Sequence, residues 1–132
     1  MNRRNWILTA PLLHACARRA RSPVFPPTVA GVWQLKSSQR LAAETAPDLV
    51  RAMGTRGWWR AAYEGAGSAT VELYELTSSA GGLEIVQKWR PVANAVVWYT
   101  PGYFVVVRWN SDNRSAVTAF IHAIQKEFAG ER

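Results

Sequence analysis

The stretch that decides the fold runs from Ala95 to Asn110 and reads AVVWYTPGYFVVVRWN. β-Branched and aromatic residues, which favour strands, fill it on both sides of Pro101-Gly102. Proline followed by glycine suits the two central positions of a type II turn, so the stretch predicts an antiparallel hairpin. Because both strands are almost continuously apolar, we expect the hairpin to lie centrally in a sheet, with both faces partly covered.

An amphipathic helix is predicted after this hairpin. Ser111 or Asp112 is its expected N-terminal cap, and Gly130 is expected to end it. At about 100° per residue, the apolar residues of this segment fall within a narrow stripe on one side of the helix: Val117, Phe120, Ile121, Ile124 and Phe128. This apolar stripe needs a sheet to pack on, and the predicted hairpin supplies one.

Shorter elements are predicted upstream. Residues 29–36 favour a first strand. Residues 47–53 favour a short helix, since proline is preferred at a first helical position and the apolar residues of the segment share a face. Residues 58–63 and 70–76 predict an antiparallel hairpin, joined through the turn signal Gly-Ala-Gly-Ser at 65–68.

The segment from Ser78 to Trp89 is compatible with either a strand or a helix. Its residues alternate loosely like a strand, whereas its apolar residues also recur at a spacing near three. Gly81-Gly82 weighs against a helix. We favour a helix capped by Ser78 or Ser79 and ended by Pro91. The elements together predict an α+β fold, with an antiparallel sheet of about four to five strands and two or three packed helices.

The N-terminal segment is typical of an export signal. Arg3-Arg4 is followed by a short apolar stretch, and Ala15 precedes Cys16. The arginine pair resembles the twin-arginine signal of bacteria, which implies export of a folded protein. Residues 13–16 resemble a lipobox, which implies a lipid on Cys16. We therefore expect an exported protein, either periplasmic or anchored to the cell envelope.

The chain is expected to divide into three parts. Residues 1–21 are the predicted leader, and residues 22–28, with three prolines, are a predicted extended linker. Residues 29–132 are then a single α+β domain, long enough to bury a core without disulfides. Cys16 is the only cysteine, so no internal disulfide is possible.

The charge distribution argues against a nucleic-acid interface on the domain. The chain has 16 Lys and Arg against nine Asp and Glu, a net charge of +7. Five of the basic residues lie in the leader, which leaves eleven against nine from Ser22 onward. The alternative is a cytosolic protein whose arginine-rich tail binds nucleic acid.

Catalytic and metal-binding patterns are sparse. His14 would be removed with the leader, and His122 lies off the apolar stripe, where we expect it to be exposed. We predict no metal, no cofactor and no catalytic residue. The alternative is a carbohydrate-active or hydrolytic enzyme using two carboxylates among Glu64, Glu72 and Glu84.

Further acidic residues do not strengthen that alternative. Glu72 and Glu75 lie on opposite faces of a predicted strand, so at most one of them points inward. Asp112 is a further available carboxylate, but the spacing along the chain gives no reason to pair any two of these groups.

Aromatic side chains are the remaining resource for binding, and the candidates are Trp58, Trp59, Trp89, Trp98, Tyr99, Tyr103 and Trp109. Their main interpretation is core packing, and exposed rings would be a platform for a ligand. Trp58 and Trp59 cannot share one face of a strand, so one of them is either covered by helices on the other face or exposed. The candidate platform residues are Trp58, Trp59, Trp98 and Trp109.

The chain resembles one protein family in the order of several short patterns that precede the terminal helix. They are Tyr-Glu-Gly at 63–65, Val-Glu-Leu-Tyr-Glu at 71–75, Glu-Ile-Val-Gln-Lys-Trp at 84–89 and Tyr-Phe at 103–104. That family comprises uncharacterised exported proteins and lipoproteins of soil bacteria. The resemblance implies export and a helix at 78–89. It does not assign a functional role to any residue of this chain. We expect a non-enzymatic envelope protein that binds a protein or small-molecule partner, with no nucleic acid involved and membrane contact through a lipid anchor.

Overall fold

The structure, a computed structural model, describes residues 22–129. Within these residues, six strands form one antiparallel sheet in the order β1-β2-β3-β4-β6-β5, and three α-helices pack on it. The α+β class is confirmed, with more strands than the four to five expected. The elements are β1 Thr28–Val29, β2 Trp33–Leu41, α1 Asp48–Met53, β3 Thr55–Gly65, β4 Gly67–Leu76, α2 Ala80–Lys88, β5 Ala95–Thr100, β6 Tyr103–Asn110 and α3 Arg114–Glu127.

The additional strand arises where one strand was expected over residues 29–36. The chain turns back there, and Val29 pairs with Trp33 across a tight hairpin. Ala30 and Gly31 both have positive φ, at 53° and 77°. Alanine rarely adopts this conformation, so the sequence carries only the glycine as a signal of the turn.

The proline-rich segment expected to be a linker packs against the domain. Phe25 is buried, and its ring lies 5.5 Å from that of Phe128. The hydroxyl of Tyr63 donates a hydrogen bond of 2.8 Å to the carbonyl oxygen of Pro26. Although a proline has no N–H to donate, its carbonyl still accepts, and this holds the segment in place.

Helix α3 covers one face of the sheet, called here the α3 face. Val117, Phe120 and Ile124 are buried against it, which confirms the predicted stripe. The N-cap is Asn113 rather than Ser111 or Asp112, because its side-chain oxygen accepts from the N–H of Ala116 at 3.0 Å. The helix ends at Glu127, before the predicted stop at Gly130, a residue outside the described part of the chain.

Helices α1 and α2 cover part of the opposite face, called here the α2 face. Trp58, Tyr74, Phe104 and Val106 of the sheet are buried there, together with Ile85 of α2. The helical interpretation of residues 78–89 is confirmed. The helix ends at Lys88, before Pro91, and Ser79 is at the N-cap position but makes no side-chain capping hydrogen bond. The short helix predicted over 47–53 is confirmed by α1.

The β5–β6 hairpin forms as predicted around Pro101-Gly102, but its expected central position is wrong. Strand β6 pairs with β4 and β5, whereas β5 is the outermost strand of the sheet. The apolar pattern of β5 reflects the covering of its two faces. Whether another strand lies beside it depends on topology, which that pattern does not encode.

Candidate functional site

A cleft of about 490 Å³ opens between the end of β6 and the first turns of α3. This volume lies in the range of clefts that hold small molecules. The cleft combines one large aromatic ring with several polar groups. It is lined by Asn94, Trp109, Ser111, Asp112, Arg114, Val117, Thr118 and Ile121.

The sheet register places Trp109 in this cleft. Trp109 pairs with Ala69 of β4, and both belong to the cluster of side chains on the α3 face. Its backbone N–H donates 3.1 Å to the carbonyl of Asn94, which fixes the start of β5 beside it. The indole is half-buried, so it has packing support from the core and still lines the cleft.

Polar side chains around the ring provide donors and acceptors. Asn94, Asp112, Arg114 and Thr118 are exposed, and within residues 22–129 none of these side chains has a hydrogen-bond partner. The hydroxyl of Ser111, by contrast, donates to the carbonyl of Ala66 and accepts from the backbone of Asn113. Asp112 and Arg114 carry opposite charges, so the rim of the cleft is neutral overall.

The other candidate platform residues lie elsewhere. Trp58 and Trp59 are 4% and 9% exposed, on opposite faces of the sheet, so neither offers its ring to a ligand. The indole N–H of Trp58 donates 2.9 Å to the hydroxyl of Thr45, consistent with a structural role. Trp98 is half-buried on β5. Of the four residues, Trp109 is the one that lines this cleft.

Glu72, a candidate catalytic carboxylate, is engaged in a buried hydrogen-bonded group. It is 8% exposed, accepts 2.9 Å from the hydroxyl of Tyr74 and accepts 3.4 Å from Nε of Arg108. Burial, followed by the neighbouring charge of Glu72, raises the pKa of Tyr74 well above its usual value, so the phenol remains a donor at neutral pH. The arrangement satisfies the carboxylate and gives it a structural role.

The remaining carboxylates do not form an acid–base pair in a cleft. Glu64 is exposed at the end of β3, and Glu84 lies 3.3 Å from Lys88 on α2. Glu75 is on the face opposite Glu72, as predicted. Three clefts in the described part of the chain contain one carboxylate each, which is Asp112, Glu44 or Glu127.

A smaller cleft of about 310 Å³ lies at the other end of the same hairpin. It is lined in part by Thr100, Tyr103 and Phe128. The Thr100 hydroxyl is buried without a hydrogen-bond partner among residues 22–129. Burial raises the pKa of Tyr103, which remains a neutral phenol at physiological pH. This cleft could not be predicted from local sequence patterns, because its walls are distant along the chain.

The histidine and the residues of the predicted leader lie outside the clefts described above or outside the described part of the chain. His122 is exposed on α3, as its position off the apolar stripe predicted. Residues 22–129 contain no group of three or more His, Cys, Asp or Glu side chains that could hold a metal ion. In the same part of the chain, no helix has the length and apolar character needed to cross a membrane. Arg3, Arg4 and Cys16 lie outside the described residues.

Comparison with known proteins adds no relative. The chain matches no family model, no curated protein and no solved structure.

Proposed function

We propose that this protein is an exported, non-enzymatic envelope protein whose domain binds a neutral carbohydrate in the cleft at Trp109. The observation that carries the proposal is the half-buried indole of Trp109, which lines the cleft together with four polar side chains that have no partner among residues 22–129. A ring supported from below by the core stays in place without a ligand, which lowers the cost of ordering the site on binding.

The chemistry of the cleft favours a sugar ring over other small ligands. One face of a pyranose ring is apolar and packs on an aromatic side chain, while its hydroxyls need both donors and acceptors. Asp112 accepts, Arg114 donates, and Asn94 does both. The balanced charge of Asp112 and Arg114 is unsuited to selecting a phosphate or a carboxylate, which would favour an excess of cations.

The arrangement of the carboxylates favours a protein that binds a sugar over one that hydrolyses it. Glycoside hydrolysis usually needs two carboxyl groups flanking the scissile bond. The cleft at Trp109 contains Asp112 as its single carboxylate, and Glu72 is engaged with Tyr74 and Arg108. Enzymatic hydrolysis remains the second candidate, and product analysis after incubation with the bound sugar separates the two.

The first prediction concerns ligand binding. Titration calorimetry of the full chain against glucose-, galactose- and N-acetylglucosamine-based disaccharides is expected to find at least one that binds and is recovered intact. Replacing Trp109 by Leu removes the stacking ring, and we expect the affinity for that disaccharide to fall at least about tenfold, in line with the loss of one aromatic stacking contact. Asp112→Asn and Arg114→Gln are expected to weaken binding as well.

A matched control is available on the neighbouring strand. Trp98 is also half-buried on the α3 face, so Trp98→Leu removes a comparable ring that does not line the cleft. We expect Trp98→Leu to leave sugar affinity unchanged. Failure of all three disaccharide classes to bind, or equal losses in Trp98→Leu and Trp109→Leu, would contradict the proposal. Inorganic phosphate serves as the anionic probe and is expected not to bind.

The second prediction concerns location. Expression in a bacterial host with working export is expected to give a membrane-bound form that lacks residues 1–15 and carries lipid on Cys16, as shown by fractionation and intact mass. Cys16→Ala is expected to abolish lipid attachment, because the thiol is the acceptor. A full-length, lipid-free product in the cytosol would overturn this part of the proposal and favour the alternative of an arginine tail that binds nucleic acid.

A further inference from the structure

The outer edge of β5 is the most conspicuous unused surface of the domain. Within residues 22–129, β5 pairs with β6 on one side and with no strand on the other. Its residues Ala95–Thr100 contain no charge and no proline, the features with which edge strands commonly avoid pairing with another chain. At the opposite edge β1 covers only the start of β2, and the rest of β2 carries Lys36 at a bulge and Arg40 further along.

The backbone of β5 is oriented for pairing at this edge. The N–H of Trp109 donates to the carbonyl of Asn94, so that pair is hydrogen-bonded. Hydrogen-bonded residues alternate along an antiparallel ladder, and Val96 and Trp98 therefore bond to β6 as well. It follows that Ala95, Val97 and Tyr99 direct their N–H and C=O groups outward, away from β6.

Exposed apolar side chains occur on β5 and in the segment that precedes it along the chain. Five large apolar side chains in the described part of the chain are exposed, and three of them lie between residues 83 and 99. They are Leu83, Val92 and Tyr99, at 46%, 51% and 42% exposure. Helix α2 packs on β5 through Gly82, whose neighbour on the strand is Tyr99.

We propose that a second copy of this chain pairs with the first along β5, antiparallel, with the two-fold axis at Val97. Val97 then lies opposite the partner's Val97, and Ala95 lies opposite the partner's Tyr99. This register joins the outward-facing residues through about six backbone hydrogen bonds. The two sheets become one continuous sheet across the two copies.

The strand is complementary to itself, which argues for a second copy as the occupant. A two-fold interface uses the same surface on both copies, so each residue must be compatible with its symmetry partner. In this register a small residue faces a large aromatic one on the α2 face, and Val96 faces the partner's Trp98 on the α3 face. Aromatic and β-branched cross-strand pairs stabilise sheets, and no like charges meet.

The first test is the association state of the full chain by sedimentation velocity, with Val97→Pro as the variant. Because the N–H of Val97 points outward, proline at this position removes no bond to β6 and is compatible with an edge strand. We expect the unmodified chain to form a dimer. In Val97→Pro the two hydrogen bonds at the axis are lost, and the dissociation constant is expected to rise at least about 30-fold.

A charge exchange at the axis tests the register. Val97→Lys and Val97→Glu each place like charges opposite one another in a symmetric pair, so each variant alone is expected to be monomeric. An equimolar mixture is expected to form the mixed dimer. Val32→Lys is the matched control, because Val32 is an exposed valine distant from β5 along the sheet order, and this variant should dimerise like the unmodified chain.

Hydrogen exchange on the unmodified chain provides a readout that needs no variant to fold. The amides of Val97 and Tyr99 are expected to become protected as concentration rises, at concentrations where the dimer forms. The proposal is overturned if the chain is monomeric at about 100 µM with these amides exchanging freely. A dimer that is indifferent to all three Val97 variants, or an edge that pairs solely with a different protein, overturns it as well.

Discussion

Trp33→Ala is expected to unfold a large fraction of the protein. Trp33 is fully buried, packs 5.1 Å from the ring of Phe120, and donates its indole N–H to the carbonyl of Ala116 at 3.1 Å. It thereby connects β2 to α3 across the core of the α3 face. Removing a buried tryptophan costs about 3–5 kcal/mol, which is comparable to the whole stability of many domains.

Urea denaturation of the full chain, followed by far-UV circular dichroism, measures this loss without depending on tryptophan fluorescence. Trp33→Phe is the control: it keeps much of the ring volume and loses the N–H donor, so we expect a loss of about 1–2 kcal/mol. An unfolding free energy within 1 kcal/mol of the unmodified chain for Trp33→Ala would show that Trp33 does not connect β2 to α3 in this way.

Substitutions at two adjacent glycines of α2 are expected to have opposite effects. A Cβ on Gly82 would lie 2.7 Å from the Cβ of Tyr99, closer than two such atoms can approach. A Cβ on Gly81 would lie 3.5 Å from that of Met53, an ordinary contact. Alanine is also the better helix former at both positions, by about 1 kcal/mol.

We therefore expect Gly82→Ala to lower the unfolding free energy by about 2 kcal/mol, and Gly81→Ala to raise it by up to about 1 kcal/mol. The contrast is measured by urea denaturation of the two variants under the same conditions. Each variant is the matched control of the other, since the chemical change and the helix are the same. Equal effects of the two substitutions would mean that α2 does not approach β5 at Gly82.

Local patterns predicted most of the elements, for physical reasons that are specific to each. The α3 stripe and the Pro101-Gly102 turn follow from side-chain period and dihedral preference, which act within a few residues. The position of β5 in the sheet could not be predicted in this way. An apolar strand indicates that both of its faces are covered, but it does not indicate which strands pair with its edges. The β1–β2 turn was missed because Ala30 adopts a positive φ that its residue type does not signal.

The candidate site was predictable only in part. Trp109 was among four tryptophans, and the sequence could not rank them, because both faces of β3 turned out to be covered at Trp58 and Trp59. Asn94 and Thr118 were not identified at all. They are brought to Trp109 by the β5–β6 register and by the docking of α3, both of which depend on tertiary packing.

The attachment of Phe25 to the core sets the length of the tether that the proposed lipid anchor would have. Phe25 and the carbonyl of Pro26 are held by Phe128 and Tyr63, so the chain leaves the domain at a fixed point on its surface. Between Cys16 and Phe25 a fully extended chain reaches at most about 30 Å. A lipid on Cys16 would therefore keep the domain within roughly its own diameter of the bilayer. The end of α3, beside Phe25, would then lie nearest to the bilayer, and the cleft at Trp109, beside the start of α3, would lie farther from it.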